Sequence, residues 1–258
     1  FRQFECFGER AVKPEKVWGI RSNTGMDSTQ GEHAIYDPCA PGSRLGILVS
    51  EFPETLPSYV EGLHFTHSVS RMQMLWKHVE SSGRKVRQVD ETVKMGEFWR
   101  RSSYYKSRYQ LDELKKLICE IRRKYNVRVY LEPGEAIALN AGYLVTEVRD
   151  IVHNGMDILI LDASAACHMP DVLEMPYKTA AKDGYLPGEK PHTCRLSSMT
   201  CLAGDVIGDY SFAQKKQGGD RLVFEDMAIY SMVKNNTFNG NAAAGIAVLR
   251  EGWRCRDD

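Results

Sequence analysis

Residues 111–136 read LDELKKLICEIRRKYNVRVYLEPGEA, and the class of fold is decided there. Leu111, Leu114, Ile118 and Ile121 recur at helical spacing, so one face of the first part is apolar. Asp112 and Glu113 open that helix and Arg122, Arg123 and Lys124 close it, which suits the helix dipole. Val127-Arg128-Val129-Tyr130-Leu131 follows as a strand-like run, and Pro133 and Gly134 stop it. A helix that feeds a short apolar strand argues for parallel strands joined by crossover helices. Glu132 then falls at a strand's C-terminal end, where parallel α/β barrels place their sites. An acid there can hydrogen-bond a protonated ring nitrogen of a cofactor and make the ring a better electron sink. A solvated glutamate in a polar turn is the alternative.

Working outward, Val17–Arg21 and Tyr59–Phe65 (YVEGLHF) read as buried strands, and Arg87–Met95 as a weaker one. Near residue 140 the pattern changes. Gly142–Ile151, Asp157–Asp162, Arg221–Glu225 and Ala228–Val233 are β-rich runs separated by Gly, Pro and Asn turns. The expected division is an α/β part over residues 1–139 and an antiparallel or mixed β domain over residues 140–258.

Composition narrows the function. The chain has 258 residues, 43% hydrophobic and 26% charged, the balance of a soluble globular protein. Lys plus Arg and Asp plus Glu both number 34, so no global charge points to nucleic acid or to an anionic membrane surface. No apolar stretch is long enough to span a bilayer, and Phe1–Glu5 do not open a signal peptide. The seven cysteines form no Cys-x-x-Cys pair, which argues against a zinc site or a disulfide framework and for a reducing, cytoplasmic setting.

A second stretch carries chemistry. Residues 200–210 read TCLAGDVIGDY, with Cys201 followed by Asp205 and Asp209 in a glycine-containing loop. A thiol can give a proton or attack as a nucleophile when its pKa suits the task, while a buried, inert cysteine is the plainer reading. Phe238-Asn239-Gly240 is a tight-turn sequence.

Taken in order, several segments resemble one family. They are YDPCAPGSRLG (36–46), LEPGEA (131–136), LDAS (161–164), CHMPDVLEMPY (167–177), TCLAGDVIGDY (200–210), FEDMA (224–228) and TFNG (237–240). The set resembles the carboxynorspermidine (carboxyspermidine) decarboxylases, pyridoxal-phosphate enzymes of the alanine-racemase-like fold related to ornithine and diaminopimelate decarboxylases. The resemblance runs from Trp18 to Gly240 and is most specific from Val129 onward. It implies a (β/α)8 barrel that binds pyridoxal phosphate, followed by a C-terminal β domain. It also implies a cytoplasmic homodimer whose active sites lie at the subunit interface, acting on a small polyamine substrate.

Residue by residue, the resemblance implies that Glu132 pairs with the cofactor's ring nitrogen. Gly134, Gly96 and Tyr230 then belong to cofactor binding. Cys201 is the proton donor, acting in the partner subunit's site, and Asp205 holds the substrate's amine end. Asp171 and Glu174 belong to the segment that shapes the distal substrate pocket, with Arg195 and Arg44 as further contacts. The family's cofactor-bearing lysine lies on the first barrel strand, in an N-terminal part with no counterpart in this chain. A βαβ unit takes ~30 residues, so residues 1–139 hold about four of the eight β/α units.

Three stretches depart from the family pattern. Gly62-Leu63-His64-Phe65-Thr66-His67 has Thr66 where the family has a second histidine. Met95-Gly96-Glu97-Phe98-Trp99 keeps only Gly96 of the glycine-rich phosphate loop. Ser197-Ser198-Met199 stands in place of Gly-Gly-Pro. Besides the active polyamine decarboxylase, two readings follow: an inactive relative acting as a binding or regulatory partner, and a decarboxylase for diaminopimelate or ornithine.

Overall fold

The computed structural model describes residues 2–3, 6–7, 18–23, 38–51, 60–65, 88–91, 111–131, 137–174 and 176–249. The chain divides into two compact units, one of Phe1–Trp99 with Tyr104–Ile137, the other of Arg100–Ser103 with Ala138–Asp258.

In the first unit, β1 (Trp18–Asn23), β2 (Ile47–Leu48), β3 (Val60–Phe65), β4 (Gln88–Glu91) and β5 (Arg128–Leu131) form one sheet in the order β2-β1-β3-β4-β5. Every neighbouring pair is parallel. Helix α1 (Leu111–Tyr125) runs into β5 through Asn126, which takes a left-handed φ of 53°. Ile121 and Val127 are buried, while Arg122, Arg123 and Lys124 face water in the last turn, as the amphipathic spacing requires. Phe65, Glu91 and Leu131 are register partners, so β3, β4 and β5 end level with one another. Glu132 is the next residue after that edge.

The 38–46 loop is fastened to the C-terminal end of β1. Buried Asn23 donates from Nδ2 to the carbonyls of Pro38 (3.2 Å) and Leu45 (3.3 Å). Ser43 Oγ donates to the Pro38 carbonyl at 2.6 Å. Gly46 has φ of 89°, and a Cβ there would stand 3.0 Å from the Ser22 carbonyl carbon. Only glycine meets both demands. Gly46→Ala is therefore expected to cost ~1–3 kcal/mol and to lower the thermal midpoint by several degrees in a melting experiment; an unchanged midpoint would contradict this reading of the loop. Arg44 lies exposed on the same loop.

In the second unit, β6 (Tyr143–His153), β7 (Asp157–Leu161), β8 (His192–Ser198), β9 (Val206–Phe212) and β10 (Arg221–Glu225) form a sheet in the order β10-β6-β7-β8-β9. It is mixed: β7 and β8 are parallel and the other neighbours antiparallel. Leu159, Leu161, Leu196, Tyr210, Phe212 and Phe224 form its core with Met169 and Val172 from the β7–β8 connection. Tyr210 keeps its phenol neutral in this core. Burial pushes its pKa up to about 12, and the hydroxyl donates to the Thr179 carbonyl at 2.8 Å.

Two expectations change. Ala228–Val233 is not a strand. β10 ends at Glu225, Asp226 turns the chain with φ of 56°, and the apolar residues that follow form the single-turn helix α4 (Tyr230–Val233). Residues 192–198 and 206–212, absent from the expected strands, are β8 and β9. Their polar members pair across the strands, Arg195 opposite Asp209, which hides the strand pattern from a hydrophobicity reading. Among the described residues, no helix is long and apolar enough to cross a membrane.

Candidate active site

Parallel strands need a crossover connection, and residues 162–191 supply the one between β7 and β8. Asp162 starts it. Its Oδ1 accepts from Thr146 Oγ1 (2.5 Å) and from the Glu147 amide (2.9 Å), which turns the chain off the sheet. Ser164 then caps the short helix α2 (Ala165–His168), its Oγ accepting from the Cys167 amide at 3.1 Å. The same hydroxyl donates to Asp205 Oδ2 at 2.6 Å, reaching the loop that joins β8 to β9.

Asp205 is the centre of that loop and is only 1% exposed. Its Oδ2 also accepts from Ser198 Oγ (2.6 Å) and Thr200 Oγ1 (2.5 Å), and its Oδ1 from the Ala166 amide (3.2 Å). Burial alone raises the pKa of a carboxyl. Here the three hydroxyls and the amide outweigh it, and the group sits below its ordinary value of 3.8. With both oxygens engaged by its own chain, Asp205 organises the loop. Ser197 and Ser198 take part as well, Ser197 Oγ donating to the Asp205 carbonyl at 2.8 Å. The departure from Gly-Gly-Pro is thus put to structural use.

Cys201 stands exposed on this loop, four residues before Asp205. The hydroxyls of Ser198 and Thr200, on its N-terminal side, are tied down to Asp205, and the Asp205 amide donates to the Leu202 carbonyl at 2.8 Å on its other side. The Cys201 amide donates to Asn239 Oδ1 at 2.7 Å.

Asn239 belongs to a 236–242 segment that is laced to α2. Asn236 Nδ2 donates to the Ala166 carbonyl (2.8 Å), and the Cys167 thiol to the Phe238 carbonyl (3.3 Å). His168 completes the lacing. The Ser164 amide donates to its Nδ1 at 2.9 Å, so Nδ1 is the acceptor and Nε2 carries the proton given to the Ala242 carbonyl at 3.0 Å. Nothing local in the sequence marks Ser164, His168 and Asn239 as site residues. Their partners lie 38 to 74 residues away, beyond any local pattern.

The remaining candidates fall into separate groups. Asp171 and Glu174, at the two ends of helix α3 (Asp171–Glu174), both bind Lys234, with Glu174 Oε2 at 2.6 Å from Nζ. Desolvation lowers the lysine's pKa, but the two carboxylates outweigh it and hold the ammonium charged. Lys234 carried no sequence signal. Lys234→Met leaves the buried Asp171 without a counter-charge and is expected to cost ~2 kcal/mol, read by chemical denaturation. A loss under ~0.5 kcal/mol would mean that the pair is no stronger than a surface contact.

Arg195 is paired across β8 and β9. Its Nε and Nη2 grip Asp209 at 2.7 and 3.0 Å, and the arginine lowers the Asp209 pKa. Tyr230 opens α4 with its side chain partly in solvent, at 42% exposure. Glu132, Gly134, Gly96, Thr66 and His67 lie outside the described residues. Among the described residues, no group of His, Cys, Asp or Glu is arranged to hold a metal.

Comparisons with known proteins identify the family. The family profile described as "Pyridoxal-dependent decarboxylase, C-terminal sheet domain" matches residues 27–228. A carboxynorspermidine/carboxyspermidine decarboxylase of Campylobacter jejuni is 36% identical, over 96% of this chain and 67% of its own length. A carboxyaminopropylagmatine decarboxylase of Synechocystis is 34% identical, over 98% of this chain and 66% of its own. The crystal structure of the Campylobacter jejuni carboxynorspermidine decarboxylase complexed with norspermidine superposes with a TM-score of 0.72 at 31% identity, covering 93% of this chain and 65% of that one. The chain spans about two thirds of the length of these relatives. With a profile match over most of its length and relatives of this identity, the chain belongs to the pyridoxal-dependent decarboxylases, enzymes whose cofactor is pyridoxal phosphate.

Proposed function

We propose that this protein removes carbon dioxide from carboxynorspermidine or carboxyspermidine, giving norspermidine or spermidine. The single observation that carries the chemistry is Cys201, an exposed thiol on a loop fixed from below by a buried carboxylate and at its own amide by Asn239. The choice of a polyamine over other amino acids rests on the identity to the two relatives named above.

The parallel sheet of the first unit and the sequence that follows it suit the cofactor. The strands of the first unit run parallel, β3, β4 and β5 end level, and Glu132 follows that edge in sequence. The proposed complete fold is a (β/α)8 barrel to which this sheet belongs, followed by the β domain. Glu132 would meet the ring nitrogen, and Gly134, Gly96 and Tyr230 would meet the phosphate side. When bound, pyridoxal phosphate draws off the electron pair left by the departing carboxylate.

The chain's own residues then finish the reaction. Cys201 gives its proton to the carbon that has lost carbon dioxide. Because Asp205 stays ionised and buried, the loop that carries the thiol keeps one geometry through turnover. The resemblance puts Asp171 and Glu174 in the segment that shapes the distal pocket, and Lys234, bound to both, leaves that cluster a single net negative charge toward a cationic chain. The proposed assembly is a homodimer in which Cys201 serves the partner's cofactor.

Product analysis tests the reading. The protein supplied with pyridoxal phosphate is offered carboxynorspermidine, carboxyspermidine, carboxyaminopropylagmatine, ornithine and diaminopimelate in competition. Norspermidine and spermidine are expected as the main products. Preference for ornithine or diaminopimelate would overturn the substrate assignment, and failure to take up the cofactor would favour a non-catalytic relative.

A further inference from the structure

The turn at residues 238–240 is held in an uncommon backbone conformation for one visible purpose. Asn239 has φ of 62° and ψ of 20°, inside the left-handed region, and Gly240 follows with φ of 79°. A non-glycine side chain pays for that conformation, and Asn and Asp pay least. Glycine would pay nothing, so the side chain has a use. Its Oδ1 accepts the Cys201 amide at 2.7 Å, and only the oxygen of the carboxamide can face that N–H. The turn that presents Asn239 does not float. It is tied to α2 through Asn236, Cys167 and His168, and α2 is tied through Ser164 and Ala166 to Asp205 beneath the Cys201 loop. Cys201 is therefore gripped from two sides by one closed hydrogen-bonded ring.

We infer that Asn239 is a positioning residue for the proton-transfer step, fixing the direction of the Cys201 thiol by holding its backbone amide. The inference rests on Cys201 being the proton donor of the proposed reaction. The fixation itself is a property of the resting protein. A thiol on a seven-residue loop tethered only at its flanks can rotate about its own peptide units. Pinning the amide of the same residue removes that freedom, and misplacing a reacting atom by about 1 Å can cost as much as about 100-fold in rate.

The experiment uses Asn239→Gly, which keeps the backbone and removes the acceptor, beside Asn239→Asp, which keeps both. Hydrogen exchange at the Cys201 amide reads the contact without turnover. It is expected to be about tenfold faster in Asn239→Gly and to stay within about twofold of wild type in Asn239→Asp. Turnover reads the consequence: kcat about tenfold lower in Asn239→Gly at nearly unchanged KM, with most of the loss restored in Asn239→Asp.

The inference is overturned if exchange in Asn239→Gly stays within about twofold of wild type. It is overturned equally if exchange rises while kcat holds, or if Asn239→Asp behaves like Asn239→Gly. A Cys201→Ala arm separates the two claims. If Cys201→Ala retains full kcat, the proton-donor assignment is what fails. If Cys201→Ala loses kcat and Asn239→Gly does not, the positioning role alone fails.

Discussion

Replacing Asp205 by alanine lowers the thermal midpoint of the protein by ~10 °C. The carboxylate is the single acceptor shared by Ser164, Ser198, Thr200 and the Ala166 amide, and it is buried. Removing it strands donors out of reach of water, at ~1–3 kcal/mol for each one that finds no other partner. Hydroxyls can rotate toward one another, so a net loss of ~3 kcal/mol is the fair figure, and ~2–4 °C per kcal/mol converts it for a chain of this size. Asp205→Asn keeps one carbonyl acceptor and should fall between the two.

The pH dependence has a definite sign. The pKa of Asp205 in the folded protein lies below 3.8, so its contribution is whole above that value and fades as pH drops through the folded value. The gap in midpoint between wild type and Asp205→Asn is thus expected to be constant near neutrality and to shrink below pH ~4. Melting curves that show a gap under ~2 °C at pH ~7, or a gap indifferent to acid, would contradict the account of this loop.

The second large effect is on chemistry. Cys201→Ala should leave the fold intact, because the side chain is exposed and its loop is held by other groups. Product formation should fall by about 10²–10⁴-fold, the usual worth of a placed general acid. Cofactor uptake should not change, since Cys201 is not among the residues proposed to hold the ring or phosphate. Cys201→Ser keeps a weaker acid at the same place and should recover part of the rate. Activity in Cys201→Ala within about threefold of wild type would remove the thiol from the mechanism.

What the sequence disclosed depended on the range of the interaction. Helix α1 was legible to the residue because four apolar positions at helical spacing and opposite charges at its two ends all speak locally. β10 was equally plain. β8 and β9 were not, since Arg195 and Asp209 satisfy each other only once the strands are paired, and Gly208 lies within β9. A short apolar stretch such as 228–233 does not distinguish strand from helix. The turn at Asp226 decides it.

The site followed the same rule. Cys201 was visible from its own segment. The work of Asp205 was not, because Ser164 lies 41 residues away and the carboxylate's burial is a tertiary fact. Lys234 is silent in sequence for the same reason, being 63 residues from Asp171. The serines that break the family triplet looked like a defect in sequence and are hydrogen-bond donors and acceptors in structure.

The most direct test of the central claim is to run the reaction on carboxynorspermidine in heavy water and examine the norspermidine formed. A thiol fixed on one side of the reacting carbon exchanges its hydrogen with solvent and delivers it to one face. Norspermidine carrying a single deuterium, in one configuration, at the carbon that lost carbon dioxide is expected. Deuterium distributed equally between the two configurations, or no norspermidine from a protein that has taken up pyridoxal phosphate, would contradict that claim.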